Sequence, residues 1–171
     1  MANEVGKNLN LKPDYLAEEE LRRAIELFFF AYRDFTGIAD SLLTDFGFGR
    51  AHHRVIYFVG AHPGMTVSEL LGILKITKQS LSRVLRLLIL EDFVLQHTDD
   101  LDRRRRLLYL TAKGADLEKR LTHRQSQWIA TAYSEAGSNA VKGFSAVLRC
   151  IINEKDRKSV ESRWTTSSAA E

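Results

Sequence analysis

Residues 102 to 111 read Asp102-Arg103-Arg104-Arg105-Arg106-Leu107-Leu108-Tyr109-Leu110-Thr111. An arginine run passes straight into an apolar, strand-forming stretch, which ends on a threonine suited to cap a helix. Upstream, Phe93 to Thr98 is rich in aromatic and β-branched residues, and the polar run Asp99 to Arg105 separates it from Arg106 to Leu110. Two strand-like runs about a polar stretch describe a hairpin with a long charged tip.

The residues before the hairpin give it a context. Thr66-Val-Ser-Glu69 has capping-box spacing, in which the threonine hydroxyl and the glutamate carboxylate each satisfy an orphan helix amide, and it predicts a helix from Val67 to about Leu74. Thr77 fits the N-cap of a second helix reaching about Glu91. Within it Leu81, Val84, Leu85 and Leu88 fall at i, i+3, i+4 and i+7 and point into a core. At 100° per residue, Gln79, Ser82, Arg83 and Arg86 share a sector of roughly 100° on the opposite side. Two short helices followed by a basic hairpin are the layout of a winged helix-turn-helix, with the second helix in the major groove of DNA and the hairpin beside it. Arginine suits guanine O6 and N7, and glutamine suits adenine N6 and N7, each worth about 1 to 3 kcal/mol of discrimination. Thr77 and Lys78, at the helix start, are placed for phosphates.

Charge placement agrees. The net charge is only +3, but residues 75 to 106 hold eight Lys or Arg against five Asp or Glu, and the rest of the chain holds 17 of each. The formal excess therefore lies in the segment proposed to touch nucleic acid.

The flanks are helical. Residues 1 to 13 read as a flexible arm. From Tyr15 to about Leu43, Leu21, Ile25, Phe28, Tyr32 and Phe35 recur at spacings of three and four, and Phe29 and Phe30 widen the apolar face until it needs cover from a partner chain. Asp45-Phe-Gly-Phe-Gly49 is a breaker, and a helix from about Arg50 to Gly60 ends at His62-Pro63-Gly64. Thr111 caps a helix from Ala112 to about Tyr133, Gly137-Ser-Asn breaks it, and a last helix runs to about Asp156. The Ser-, Thr- and Ala-rich tail, residues 158 to 171, is expected to be disordered. The predicted fold is mainly α (α+β): a winged helix-turn-helix lobe over 63–111 with a two-stranded wing, and a helical dimerisation region over 14–62 and 112–157.

Several functions find no support. No apolar run approaches the roughly 18 to 20 residues of a membrane span, and the N-terminus lacks the plan of a secretory signal, so a cytoplasmic protein is expected. The single cysteine, Cys150, makes no intrachain disulfide and fits a small buried apolar residue better than a redox sensor. His52 and His53 are adjacent and diverge by about 100° on a helix, while His62, His97 and His123 are scattered, so no metal site is expected. There is no phosphate-binding glycine loop, nucleophile elbow or His-Glu-x-x-His pair. Neither an enzyme nor a cofactor is expected.

Residues 64 to 114 resemble the winged helix-turn-helix of the MarR family of bacterial regulators. The match runs from Thr66-Val-Ser-Glu-Leu-Leu, through Ile76-Thr-Lys-Gln-Ser-Leu-Ser-Arg-Val-Leu, to Asp102-Arg-Arg-Arg-Arg-Leu-Leu-Tyr-Leu-Thr-Ala-Lys-Gly114, the last stretch being the most specific. With the helical flanks the likeness covers about residues 15 to 155. It implies a homodimer whose terminal helices interlock, with two winged lobes on a pseudo-palindromic operator in double-stranded DNA. It also implies that the wing carboxylate, Asp102, orients Arg104 into the minor groove, with Arg103 beside them as a phosphate contact. Many MarR-like proteins take a small-molecule effector between dimer helices and lobe; here Tyr32, His53 and Tyr57 are the polar candidates, though each also fits core packing. Organic-peroxide sensors of the family carry a reactive cysteine in the first helix, and this chain has none there. The turn between the two short helices, where the family usually has glycine, holds Lys75, which bears about 1 kcal/mol of strain if φ is positive.

Two other readings remain open on the residues alone. A winged-helix module could bind an acidic protein through the same arginines without sequence preference. A small-molecule carrier could keep the dimer and lose DNA binding, although the Asp102 to Arg104 cluster has no use in a carrier.

Overall fold

The computed structural model describes residues 13–167, with side chains through residue 161. The expected N-terminal arm, apart from Pro13, lies outside the described residues, as do residues 168–171. The order of elements is α1 (Glu18–Thr44), α2 (Arg50–Ala61), β1 (Met65–Thr66), α3 (Val67–Leu74), α4 (Lys78–Leu90), β2 (Val94–Thr98), β3 (Arg106–Leu110), α5 (Ala112–Ala136), α6 (Ser138–Ile151) and α7 (Glu154–Ser167). A 3-10 turn at Asp14–Leu16 precedes α1. The chain divides within α1 into two compact units, one ending at Gly37 and one beginning at Ile38.

The first unit presents much of α1. Its first turn holds Glu18, Glu19 and Glu20, which favour the positive end of the helix dipole. Arg22 and Arg23 pair back to Glu18 and Glu20 at 2.9 Å. Leu21, Ile25, Leu27, Phe28, Phe29, Phe30 and Tyr32 are all exposed.

The second unit is built about one core. The last turns of α1 contribute Ala39 and Leu43, α2 contributes Val55, Ile56 and Val59, and α5 contributes Leu117 and Leu121. Leu70 of α3, Leu81 and Leu88 of α4, Phe93, Val94 and Leu108 complete it, each below 2% exposure and worth roughly 1.5 to 3 kcal/mol of transfer free energy. The sheet is antiparallel in the order β1-β3-β2. β2 and β3 pair from Val94↔Leu110 to Thr98↔Arg106, and β1 adds Met65↔Leu108 and Thr66↔Leu107. The expected two-stranded wing is β2 and β3, and β1 adds a third strand to its sheet: Met65–Thr66 is too short to show a period and is recognisable only by its pairing.

Threonine caps fix the helix starts. Thr66 Oγ1 accepts from the Glu69 amide at 3.1 Å, and Glu69 Oε2 accepts from the Thr66 amide at 2.7 Å. Thr77 accepts from the Ser80 amide at 3.1 Å and Thr111 from the Gly114 amide at 3.0 Å. Gly114 is obligatory: a Cβ there would lie 2.0 Å from the Phe93 carbonyl oxygen. Phe46 and Phe48, from the expected breaker, pack edge-on against Phe93 with ring centroids 5.3 and 5.0 Å away. The breaker is therefore also core.

The C-terminus departs most from expectation. α6 stops at Ile151, because Ile152 is extended (ψ 132°), and Asn153 starts a new helix by accepting from the Asp156 amide at 3.0 Å. The stretch from Lys158 to Ser167, expected to be disordered, is the body of that helix. Its Ser and Thr content hid a run of good helix formers braced by Lys158–Glu154 at 2.6 Å.

Lys75 closes α3 in the left-handed conformation, φ 50° and ψ 39°, and its ammonium pairs with Asp156 of α7. Exposed ion pairs are worth about 0 to 1 kcal/mol, no more than the left-handed strain of about 1 to 2 kcal/mol. Lys75→Gly is accordingly expected to leave stability unchanged or raise it by up to ~1 kcal/mol. A loss larger than that in urea denaturation would show that α7 braces the turn more strongly than an exposed pair can.

Candidate nucleic-acid interface

α4 divides cleanly by face. Leu81, Val84, Leu85 and Leu88 are buried, while Thr77, Lys78, Gln79, Ser82, Arg83 and Arg86 are exposed. Neither Arg83 nor Arg86 is engaged in an ion pair or side-chain hydrogen bond among the described residues. Both guanidiniums are thus free to form bidentate bonds to a ligand.

The far end of α4 is stitched to the hairpin. Asp92 takes φ 58°, and the Phe93 amide returns to the Leu88 carbonyl at 2.8 Å. Thr111 Oγ1 donates to the Asp92 carbonyl at 2.7 Å, and Lys113 Nζ donates to the Glu91 carbonyl at 2.8 Å while lying 4.2 Å from the Phe93 ring centroid. Helix and hairpin therefore share a single root.

At the tip, Asp102 Oδ1 accepts from the Arg104 amide at 3.0 Å and from Arg104 Nε at 3.3 Å. The Arg104 side chain is otherwise in solvent, 93% exposed. Arg105 instead pairs with the largely buried carboxylate of Asp99 at 3.2 Å. Arg106 donates to Thr98 across the strands, and Arg103 is exposed. Four consecutive arginines thus have distinct surroundings. Neither the Arg105–Asp99 pair nor the Lys75–Asp156 pair is legible in the sequence, since each needs the folded loop or an 81-residue return of the chain to be seen.

Of the three effector candidates, Tyr32 lies on α1 of the first unit and is 47% exposed. His53 and Tyr57 lie on α2 of the second unit, and Tyr57 stacks edge-on against Phe58 at 5.2 Å. Among the described residues, His53 Nε2 is buried without a hydrogen-bond partner. Burial lowers the affinity of His53 for a proton, against the opposing pull of Asp40, and burial likewise lowers that of His52, whose Nδ1 accepts from the Gly49 amide at 3.1 Å. The unfolded chain takes up these protons first. Their contribution to stability is full above 6.5, the ordinary histidine value, and is lost as pH falls through it. The thermal midpoint should fall over that range, and His53→Gln should flatten the slope; an equal slope in the variant would place the titration elsewhere.

Among the described residues no helix is long and apolar enough to cross a membrane, and no group of three His, Cys, Asp or Glu is placed to hold a metal ion. Cys150, expected to be buried, is exposed on α6.

Comparison with known proteins bears on the family and the fold. The MarR family model matches residues 46–105. The chain is 45% identical over 144 residues to the HTH-type transcriptional regulator PetP of Rhodobacter capsulatus, an alignment spanning 84% of this chain and 87% of that protein. Among solved structures, a MarR transcriptional regulator from Methanosarcina mazei superposes with a TM-score of 0.63 at 23% identity, covering 78% of this chain and 94% of that one. The Staphylococcus aureus MepR–DNA complex superposes with a TM-score of 0.54 at 24% identity, covering 71% and 98%.

Proposed function

The chain belongs to the MarR family of helix-turn-helix transcriptional regulators, and from that premise we propose that it grips a pseudo-palindromic operator as a homodimer. The observation that carries the proposal is the exposed face of α4, with Arg83 and Arg86 unengaged, rooted together with a wing whose Arg104 is aimed by Asp102. Gln79, Ser82, Arg83 and Arg86 read or approach base edges in the major groove. Thr77 and Lys78 hold phosphates at the start of α4, Arg103 holds a phosphate beside the wing, and Arg104 enters the minor groove.

Dimerisation is supported by the large apolar side chains exposed on α1, and by Phe144, Val147 and Ile151 exposed on α6. Patches of this kind on a folded chain mark partner surfaces. Two lobes would meet half-sites about one helical turn, ~10 bp, apart. An effector, in this reading, contacts α2 near Tyr57 and His53, whose buried Nε2 lacks a partner among the described residues.

The test is selection of the purified protein against a random double-stranded DNA library at physiological salt. The expected result is an enriched pseudo-palindrome. Recovery of no motif, with binding that vanishes as salt rises, would instead favour a module for an acidic protein.

A further inference from the structure

The wing tip carries one apolar side chain, Leu101, which is 98% exposed. A lone exposed leucine ordinarily needs no explanation. Leu101 differs because the backbone on both sides of it is fastened. Its amide donates to Asp99 Oδ1 at 3.0 Å, and the Asp99 amide donates to the Arg105 carbonyl at 3.2 Å. The Asp99 carboxylate, 12% exposed, holds Arg105 at 3.2 Å. The Arg105 amide donates to the Asp102 carbonyl at 2.8 Å, and Asp102 Oδ1 takes the amide of Arg104. The loop is closed by its own bonds with the leucine outward, so much of the ordering cost of presenting it is met before any ligand arrives.

We propose that Leu101 is an apolar wedge that enters the minor groove beside Arg104 and leans between two base pairs, favouring operators with a flexible pyrimidine–purine step there. The inference rests on the wing reading of the preceding subsection. A minor groove about 6 Å wide admits a side chain on a loop tip but not a helix. Apolar wedges, leucine among them, partly unstack the step they enter and bend the duplex toward the major groove. TA and CA/TG steps yield at the lowest cost, so the wedge selects sequence without a hydrogen bond. Two of the three tip carboxylates, Asp99 and Asp102, are matched with guanidiniums, which lessens their repulsion from phosphates.

The experiment uses the full chain and the duplex that wild type enriches from the random library, with 2-aminopurine placed in turn at each adenine flanking the half-sites. Wild type should brighten one of these positions on binding, as an unstacked base does. Leu101→Asn, similar in size but polar, should bind about tenfold more weakly, a loss set by apolar burial less the cost of unstacking. It should also lose the brightening, while Leu101→Met keeps both. Arg104→Ala separates the two levels of the argument. If Arg104→Ala weakens binding but Leu101→Asn matches wild type in affinity and fluorescence, the wedge is refuted and the wing stands. If Arg104→Ala also binds as wild type, both fall.

Discussion

Gly114→Ala should cost at least about 3 kcal/mol of stability, the upper end of the usual penalty for overpacking. The methyl group would lie 2.0 Å from the Phe93 carbonyl oxygen, a backbone atom that cannot rotate away. That carbonyl already accepts the Thr111 amide at 3.1 Å, and Thr111 caps α5 through the Gly114 amide. Relieving the clash means drawing α5 away from the root that α4 and the hairpin share, so operator binding should be lost with the fold. Gly72→Ala in α3 is the control: nothing lies within 4 Å of its Cβ position, and it should gain about 0.5 to 1 kcal/mol from helix propensity. Equal urea midpoints for Gly114→Ala and wild type would show that α5 and Phe93 are not in the close approach described.

The second large effect is on binding alone. Arg104→Ala should weaken operator affinity by about 1 to 3 kcal/mol, roughly fivefold to 150-fold, and leave the thermal midpoint where it is. Its side chain is 93% exposed, and its one side-chain partner among the described residues is Asp102, so the fold has little to lose. Asp102→Asn should lose less, since the arginine remains and only its aim is relaxed. Unchanged affinity of Arg104→Ala at physiological salt would reject the wing assignment.

Much of this was legible in the sequence for identifiable reasons. Thr66, Thr77 and Thr111 could be read as caps because a cap is a local device of four residues, and each makes the expected bond. The two faces of α4 were legible because helical periodicity separates Leu81, Val84, Leu85 and Leu88 from Gln79, Ser82, Arg83 and Arg86. Lys75 could be flagged because the resembled family usually has glycine at that turn, and the residue does take a positive φ.

What escaped was non-local or masked by composition. Phe46 and Phe48 sit among glycines and read as a breaker, yet their rings close on Phe93, 45 or more residues along the chain. Asn153 has the spacing of a cap with Asp156, but an apolar run just before it reads as a helix that continues. The Lys75–Asp156 pair could not be anticipated until α7 was known to exist. In the sequence Leu101 is one hydrophobe within a polar run, and the hydrogen bonds about Asp99 and Asp102 that fasten the backbone beside it are visible only in the folded loop.

Whether the outer face of α4 reads bases is decided by repeating the random-library selection with Arg83→Ala beside wild type. Base reading by Arg83 should give the same pseudo-palindrome from both proteins, with preference relaxed at one symmetric position in each half-site and affinity lower by about 1 to 3 kcal/mol for the variant. An identical motif from the two proteins, position for position, would contradict it.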